Sequence, residues 1–292
     1  MPVSDKFLKN GEITLINVMT FVNGSNLFGT FKHLEVFVDD YEALYRYIFT
    51  QAVEHWRSTV IAATPPVMRQ VRVYWYVVDS MDEWDLNSMR SRQHLHERFI
   101  EDREVRTRWI AEATRAHAAR GLDAAKIDQA SFTMCFDDFR QWYEKKQTIL
   151  SGMNRFYHAV ESSSDFIEIR RCGRWKVDLL HKNINEKGLD AGFATDMVAF
   201  QQNYNVAVLI GVDSDGIAGL GYIKDAGKQV MVVEFQRGSH PEGRIKPTTT
   251  RLKLTADCVV PIYEADLIRL GLATKAEGDD LVERDAENNT NA

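Results

Sequence analysis

The sequence is poor in cysteine and proline and lacks any long apolar run, and each scarcity excludes a class of protein. Its 292 residues include only three cysteines, which are far apart and form no C-x-x-C pair. We therefore expect a reducing compartment, the cytoplasm, with neither a disulfide framework nor a zinc cluster. No apolar run is long enough for a transmembrane helix. The opening residues, MPVSDKFLKNGE, lack the apolar core of a secretory signal.

What the sequence does contain is the composition of a folded globular protein. Hydrophobic residues make up 45% and charged residues 27%, and 31 side chains are aromatic. The net charge is −6, but residues 275–292 hold six acids and two bases, so we predict a disordered acidic tail there. The remainder is nearly neutral, and a local basic patch is what binds phosphate. The acidic balance therefore does not exclude a nucleic-acid partner.

Apolar patterning predicts strands and helices in alternation, which is typical of a parallel sheet covered on both faces. The predicted strands are 12–22, 71–78, 165–172, 206–210, 230–235 and 258–263. The predicted helices are 39–62, 190–203 and one that ends at Ala226. Residues 84–162 show helical periodicity without a convincing strand, and we interpret them as a helical insertion. A basic loop is predicted between 172 and 190.

Polar side chains follow the predicted strands where ligands collect in an open parallel sheet. Asn23 and Asn26 follow the first strand, and Asp213 and Asp215 follow strand 206–210. Asp190 begins a helix that enters from the same side. Converging carboxylates repel one another unless a cation neutralises them, and oxygen ligands favour Mg²⁺ or Mn²⁺. Such a metal supports phosphodiester hydrolysis.

Several ordered motifs together resemble the NYN domain family of PIN-like ribonucleases, in particular its LabA-like group. The resemblance covers about 170 residues and skips the insertion. The motifs are Val22-Asn23-Gly24-Ser25-Asn26-Leu27-Phe28, Lys187-Gly188-Leu189-Asp190, Asp196, Gly211-Val212-Asp213-Ser214-Asp215-Gly216, Gly227-Lys228-Gln229-Val230 and Ala256-Asp257-Cys258-Val259.

The resemblance implies a three-layer α/β/α PIN-like (Rossmann-like) domain over residues 12–270. It also implies a ribonuclease that uses Mg²⁺ or Mn²⁺ and acts on RNA, which we expect to be single-stranded. The metal ligands would be Asn23, Asp190, Asp213 and Asp215. We place Asp196 among the catalytic residues as a more distant or structural member, because six residues separate it from Asp190 by about 120° around a helix. The expected substrate contacts are Ser25, Asn26, Lys187, Ser214, Arg244 and Lys246.

One departure from the family pattern affects the chemistry directly. Asn23 stands where the pattern has aspartate, and an amide is a neutral and poorer metal ligand. Three hypotheses account for it: a substitution made to silence cleavage, which we favour, a natural loss of activity, or a site that works with fewer acids. The alternative function is a catalytically inactive nucleic-acid-binding or regulatory protein on the same fold. A nucleotide-sugar enzyme that uses Asp213 and Asp215 is a third, weaker interpretation.

Two basic runs are candidates for phosphate contact, although such runs are usually solvated surface. The second spans 237–253. The first comprises Arg170, Arg171, Arg174, Lys176, Lys182 and Lys187. The helical insertion is a candidate for binding a protein partner, for forming a homo-oligomer or for shaping a substrate channel. His94 and His96 would point to different faces of a helix, so we do not expect them to bind a metal together.

Overall fold

Nine strands and eight helices make up the part of the chain that the structure describes. The structure is a computed structural model, and it describes residues 15–59, 66–118, 123–212, 217–239 and 255–276. The described strands are β1 (Leu15–Asn23), β2 (Val36–Phe37), β3 (Val67–Met81), β4 (Ile167–Asp178), β5 (Asn183–Lys187), β6 (Val206–Ile210), β7 (Gln229–Gln236), β8 (Cys258–Tyr263) and β9 (Thr274–Lys275). The described helices are α1 (Gly24–Leu34), α2 (Tyr41–Thr59), α3 (Met89–Glu101), α4 (Arg103–Ala116), α5 (Ala124–Ser163), α6 (Leu189–Ala199), α7 (Ile217–Asp225) and α8 (Glu264–Arg269).

Seven of the strands form one mostly parallel sheet in the order β5-β4-β3-β1-β6-β7-β8. Strand β1 pairs in parallel with β3 and β6, and the pairs β6–β7 and β7–β8 are also parallel. Strands β4 and β5 are antiparallel, and β2 pairs with β9 in a small separate sheet. The α/β class and the parallel sheet predicted from the sequence are confirmed, and the layout is Rossmann-like.

The central strands carry apolar side chains on both faces because helices cover the sheet on both sides. Every residue of β6 is buried, and β1 is buried from Val18 onward. Phe21 of β1 lies beside Leu209 of β6 and contacts the rings of Tyr74, Phe193 and Tyr204. Each such side chain contributes about 1.5–3 kcal/mol when it is fully buried. This apolar centre fixes where the carboxyl ends of β1 and β6 lie.

The described residues divide into two compact units. The sheet unit contains the residues up to Val77, Ala159–Cys172 and the residues from Gly188 onward. The helical unit contains Val78–His158 and Gly173–Lys187. In their described part, residues 84–162 hold α3, α4 and nearly all of α5 and no strand. The insertion has a core of its own, in which Phe99, Phe136 and Phe139 are fully buried.

The prediction of a basic loop between 172 and 190 is wrong, because most of this segment forms strands. Strand β4 continues to Asp178, and β5 then pairs back on it from Asn183 to Lys187. Gly173, Trp175 and Val177 are buried, while Arg174 and Lys176 between them are exposed. A strand with one buried face needs only this alternation, so basic residues on its other face do not prevent it.

Other boundaries differ by a few residues. Strand β3 starts and ends outside the predicted 71–78, and α6 ends at Ala199 rather than near 203. The predicted tail begins at Lys275, which instead belongs to β9, where it pairs with Val36 of β2. The rest of that predicted tail, from 277 onward, lies outside the described residues.

No helix in the described ranges combines the length and hydropathy that crossing a membrane requires.

Helix α6 packs so closely on β4 that Gly192 leaves no room for a side chain. A Cβ at Gly192 would meet Cys172 Sγ at 2.6 Å and Cys172 Cβ at 3.0 Å. We predict that Gly192→Ala destabilises the protein by about 1–3 kcal/mol through overpacking. Adding Cys172→Ala should relieve most of this loss because it removes the sulfur. Urea unfolding of the parent, the single variant and the double variant measures the effect.

The matched control is Gly29→Ala in α1, where a Cβ would meet nothing within 4 Å. Because alanine favours a helix, this change should stabilise the protein by about 0.5–1 kcal/mol. Equal stability of Gly192→Ala and the parent would contradict the close approach.

Candidate functional site

The candidate site is built around the residue that ends β1 and begins α1. Asn23 is 6% exposed, and its side-chain Oδ1 accepts a hydrogen bond from the backbone N–H of Asn26 at 3.1 Å. This is the N-cap of α1, a position that asparagine and aspartate both favour. The next residue is glycine because a Cβ at Gly24 would meet Trp75 Nε1 and the Tyr76 carbonyl oxygen at 2.7 Å.

Asn26 ties the start of α1 to the end of β6. Its Nδ2 donates to the carbonyl oxygen of Gly211 at 2.7 Å. Gly211 has φ of +71°, and a Cβ there would meet the Asn23 carbonyl oxygen and Asn26 Cβ at 3.0 Å. The chain that leaves β6 therefore passes directly beside the turn after β1. Ser25, which was also predicted to contact substrate, lies in the first turn of the same helix.

Asp190 approaches the same turn from α6. It lies exposed in the first turn of that helix, where the helix dipole favours a carboxylate. Asn23 Nδ2 donates to Asp190 Oδ1 at 3.4 Å. The structure thus brings together three of the predicted site residues, Asn23, Asn26 and Asp190, at the carboxyl ends of β1 and β6.

The orientation of the Asn23 amide follows from its two neighbours. A backbone N–H can only donate, so the side-chain atom that faces Asn26 must be the oxygen. The NH₂ group is therefore the one that faces Asp190. In this arrangement the amide donates to the carboxylate where a second carboxylate would repel it. The amide oxygen, which was predicted to bind metal, is occupied as the helix cap.

Asp196 lies six residues further along α6 and has different surroundings. Its Oδ2 accepts from Arg170 Nε at 2.8 Å and from the Tyr76 hydroxyl at 3.1 Å, and its side chain is 15% exposed. Burial raises the pKa of Tyr76, and the Asp196 carboxylate raises it further, so the phenol stays protonated and donates. The Arg170 guanidinium also lies 5.7 Å from the ring centres of Tyr74 and Phe200. Asp196 thereby anchors α6 to β3 and β4.

Most of the first basic run is used in ion pairs. Besides Arg170, Arg171 pairs with Glu161 at 2.9 Å, Arg174 with Asp82 at 3.3 Å, and Lys182 with Asp138 at 3.0 Å. Lys176 and Lys187 form no salt bridge or hydrogen bond with any described residue. These two lysines are the members of the run whose charge is available to a ligand.

Several predicted site residues lie outside the described residues, so their placement is not part of the observed geometry. They are Asp213, Ser214, Asp215, Arg244 and Lys246. The described chain reaches Val212 before this gap, directly after the Gly211 carbonyl that Asn26 binds. The predicted Asp213 and Asp215 therefore follow closely on a residue that touches the turn after β1.

Sequence reasoning missed a carboxylate at the same edge of the sheet. Val233 of β7 pairs with Ile210 of β6, so the next residue, Glu234, lies level with Gly211. Glu234 is buried and accepts from Gln236 Nε2 at 3.2 Å. The available signal was a single acid inside the apolar run Val230–Phe235, since charged side chains are rarely buried without partners.

A metal cluster made of the described residues alone is not observed. Within the described ranges, no group of three or more His, Cys, Asp or Glu side chains could hold a metal ion. His94 stacks on Trp84, whereas His96 contacts the Phe132 ring. None of the three cysteines forms a disulfide.

Comparison with known proteins provides no function. No protein-family model matches the chain, and no curated protein matches it. In structure the chain is similar to a protein of unknown function from Vibrio parahaemolyticus, with a TM-score of 0.40 and 14% identity, over 85% of this chain and 94% of that chain. Function is therefore inferred from the site residues.

The two aspartates of α6 should respond differently to truncation. We predict that Asp196→Ala lowers the free energy of unfolding by about 1.5–3 kcal/mol, because it removes hydrogen bonds to a charged group and leaves Arg170 partly unpaired. Asp190→Ala is the matched control and should cost less than about 1 kcal/mol, since Asp190 is exposed, its hydrogen bond from Asn23 is long at 3.4 Å, and the helix-dipole interaction is weak at the surface. Urea unfolding of both variants measures the difference. Equal losses would contradict the anchoring role of Asp196.

Proposed function

We propose that the protein is a metal-dependent ribonuclease with a PIN-like domain, and that Asn23 holds the site of this chain in a form with low metal affinity. The observation that carries the proposal is the 3.4 Å contact between Asn23 Nδ2 and Asp190 Oδ1 at the carboxyl ends of the central strands. This edge is where ligands bind in open parallel sheets. The order of motifs along the sequence supports the same interpretation.

The oxygen atoms available at this edge of the sheet indicate which residues would hold a metal. Asp190 supplies an exposed carboxylate, and Asp213 and Asp215 are the predicted further ligands. Asn23 does not fit as a ligand in its observed orientation. Its NH₂ group, which cannot bind a cation, faces Asp190, and its oxygen faces the backbone N–H of Asn26. A bound Mg²⁺ or Mn²⁺ would polarise a phosphate oxygen and supply hydroxide. The residues of the chain would hold and orient the phosphodiester at the edge of β1 and β6.

An aspartate at position 23 would change this arrangement without changing the fold. One oxygen would still cap α1, since aspartate and asparagine cap helices equally well. The other oxygen would face Asp190 Oδ1 at about the distance that the amide nitrogen has now. Two carboxylates so close repel each other, and a proton or a divalent cation relieves the repulsion.

The same contact favours a second candidate function. Because the Asn23 amide already satisfies Asp190, the present chain needs no cation at this point. A protein that binds RNA without cleaving it would use such a site. Both candidates share the fold and the RNA ligand, and they differ in whether aspartate at position 23 produces cleavage.

We predict that Asn23→Asp gains Mn²⁺ affinity of at least about tenfold and gains cleavage of single-stranded RNA, because a carboxylate pair replaces a neutral amide. Metal binding is measured by the rise in melting temperature that Mn²⁺ produces, since a ligand of the folded state stabilises it. Cleavage is measured on a fluorescently labelled RNA.

The control is the double variant Asn23→Asp/Asp190→Asn, which restores one carboxylate and one amide and should lose both gains. If Mn²⁺ shifts the melting temperature of Asn23→Asp no more than that of the parent, the proposed metal site is refuted. If Mn²⁺ binds but RNA stays intact, the non-cleaving function is the one supported.

A further inference from the structure

The helical unit contains a cavity of about 540 Å³ on the antiparallel pair β4–β5, and two of its lysines belong to the first basic run, for which the sequence predicted phosphate contact. It is lined by Arg98, Lys176, Val177, Asp178, Asn185 and Lys187. All six residues belong to the helical unit. A volume of this size is typical of small-ligand sites.

The two strands present their polar residues on one face. Lys176 pairs in register with Asn185, and Arg174 pairs with Lys187, so these side chains project to the same side. Val177 and Ile184, which also pair, belong to the apolar side that packs against the core of the helical unit. The apolar side holds the β4–β5 ribbon against the core of the helical unit. The opposite, polar side of the ribbon is open to solvent or to a ligand.

Positive charge dominates the cavity. Its lining has three cations, Arg98, Lys176 and Lys187, and one carboxylate, Asp178. Among the described residues, neither lysine has a carboxylate within 4 Å or a hydrogen-bond partner. Arg98 lies 3.4 Å from Asp178 and is a third exposed to solvent.

Asp178 does not neutralise the lysines because it is held by other partners. Its Oδ1 accepts from the backbone N–H of Leu180 at 3.1 Å, and its Oδ2 lies 3.1 Å from His181 Nδ1. Burial alone would raise the pKa of Asp178, but the contact with His181 and the charge of Arg98 outweigh it and lower that pKa. The carboxylate is thus ionised at neutral pH, and its charge is directed to Arg98 and the turn after β4.

We propose that this cavity binds a phosphate ester, supplied either by a nucleotide or by the backbone of single-stranded RNA. A phosphate ester offers several acceptor oxygens to two ammonium groups and a guanidinium, and Asn185 adds an amide donor. A nucleoside monophosphate carries close to two negative charges, and single-stranded RNA supplies one at each successive phosphate, so either source matches more of the positive charge than one carboxylate does. The RNA form of the inference rests on the proposed function, whereas the nucleotide form does not.

The test compares full-length variants of equal charge. Lys176→Gln/Lys187→Gln removes two charges from the cavity, and Arg90→Gln/Lys145→Gln removes two exposed charges elsewhere in the helical unit. The ligands are AMP, followed by calorimetry, and a fluorescent twelve-nucleotide RNA, followed by anisotropy. The cavity variant should bind its ligand about tenfold or more weakly than the control. For RNA, the log–log salt slope should fall by about 1.4, or about 0.7 for each lost contact.

Binding of AMP by the parent identifies a nucleotide as the source, and binding of RNA alone identifies the backbone. Lys176→Arg/Lys187→Arg should retain binding because it keeps both charges. The inference is overturned if the parent binds neither ligand, or if the cavity variant binds as well as the control. These outcomes do not depend on Asn23→Asp, whose readouts are Mn²⁺ stabilisation and RNA cleavage, so the two proposals fail separately.

Discussion

The arrangement of the candidate site depends on one steric constraint at the end of β1. Gly24 lies so close to Trp75 and the Tyr76 backbone that any side chain there would clash. Glycine at this position lets the backbone pass close to β3 where β1 turns into α1, and Asn23 is the N-cap of that helix. Capping uses the amide oxygen and leaves the amide nitrogen toward Asp190. A packing requirement thus determines which end of a side chain faces the carboxylate.

Helix α6 carries two aspartates whose surroundings give them different chemical roles. Asp196 is held by Arg170 and Tyr76, so it fixes the helix against the sheet. Asp190, six residues earlier, is exposed in the first turn of the helix and contacts Asn23 at the end of β1. The contacts of Asp196 hold the helix against the sheet and so help to fix where Asp190 lies. Gly192 between them allows the close approach to Cys172 that this position requires.

The β4–β5 ribbon shows how a strand can combine a structural and a binding face. Alternate residues enter the core of the helical unit, and the residues between them present cations over a cavity. Arg174 and Lys182 are neutralised by acids of the same unit, whereas Lys176 and Lys187 are not neutralised by any described residue. Charge left unpaired beside a cavity is what an anionic ligand would complement.

The sequence by itself determined the alternation of strands and helices, the helical insertion and the residues that end β1 and begin α6, because apolar periodicity and turn residues act over short distances. It did not determine β5, since a charge-rich strand with one buried face resembles a loop until its partner is known. Nor did it determine the direction of the Asn23 amide, the contacts that hold Asp196, or the position of Glu234 beside Gly211 at the edge of the sheet. Each of these depends on contacts between residues far apart in the chain, such as Asn23 with Asp190 and Arg170 with Asp196. Only tertiary packing decides which of two carboxylates on one helix is held by Arg170 and Tyr76 and which lies exposed beside the end of β1.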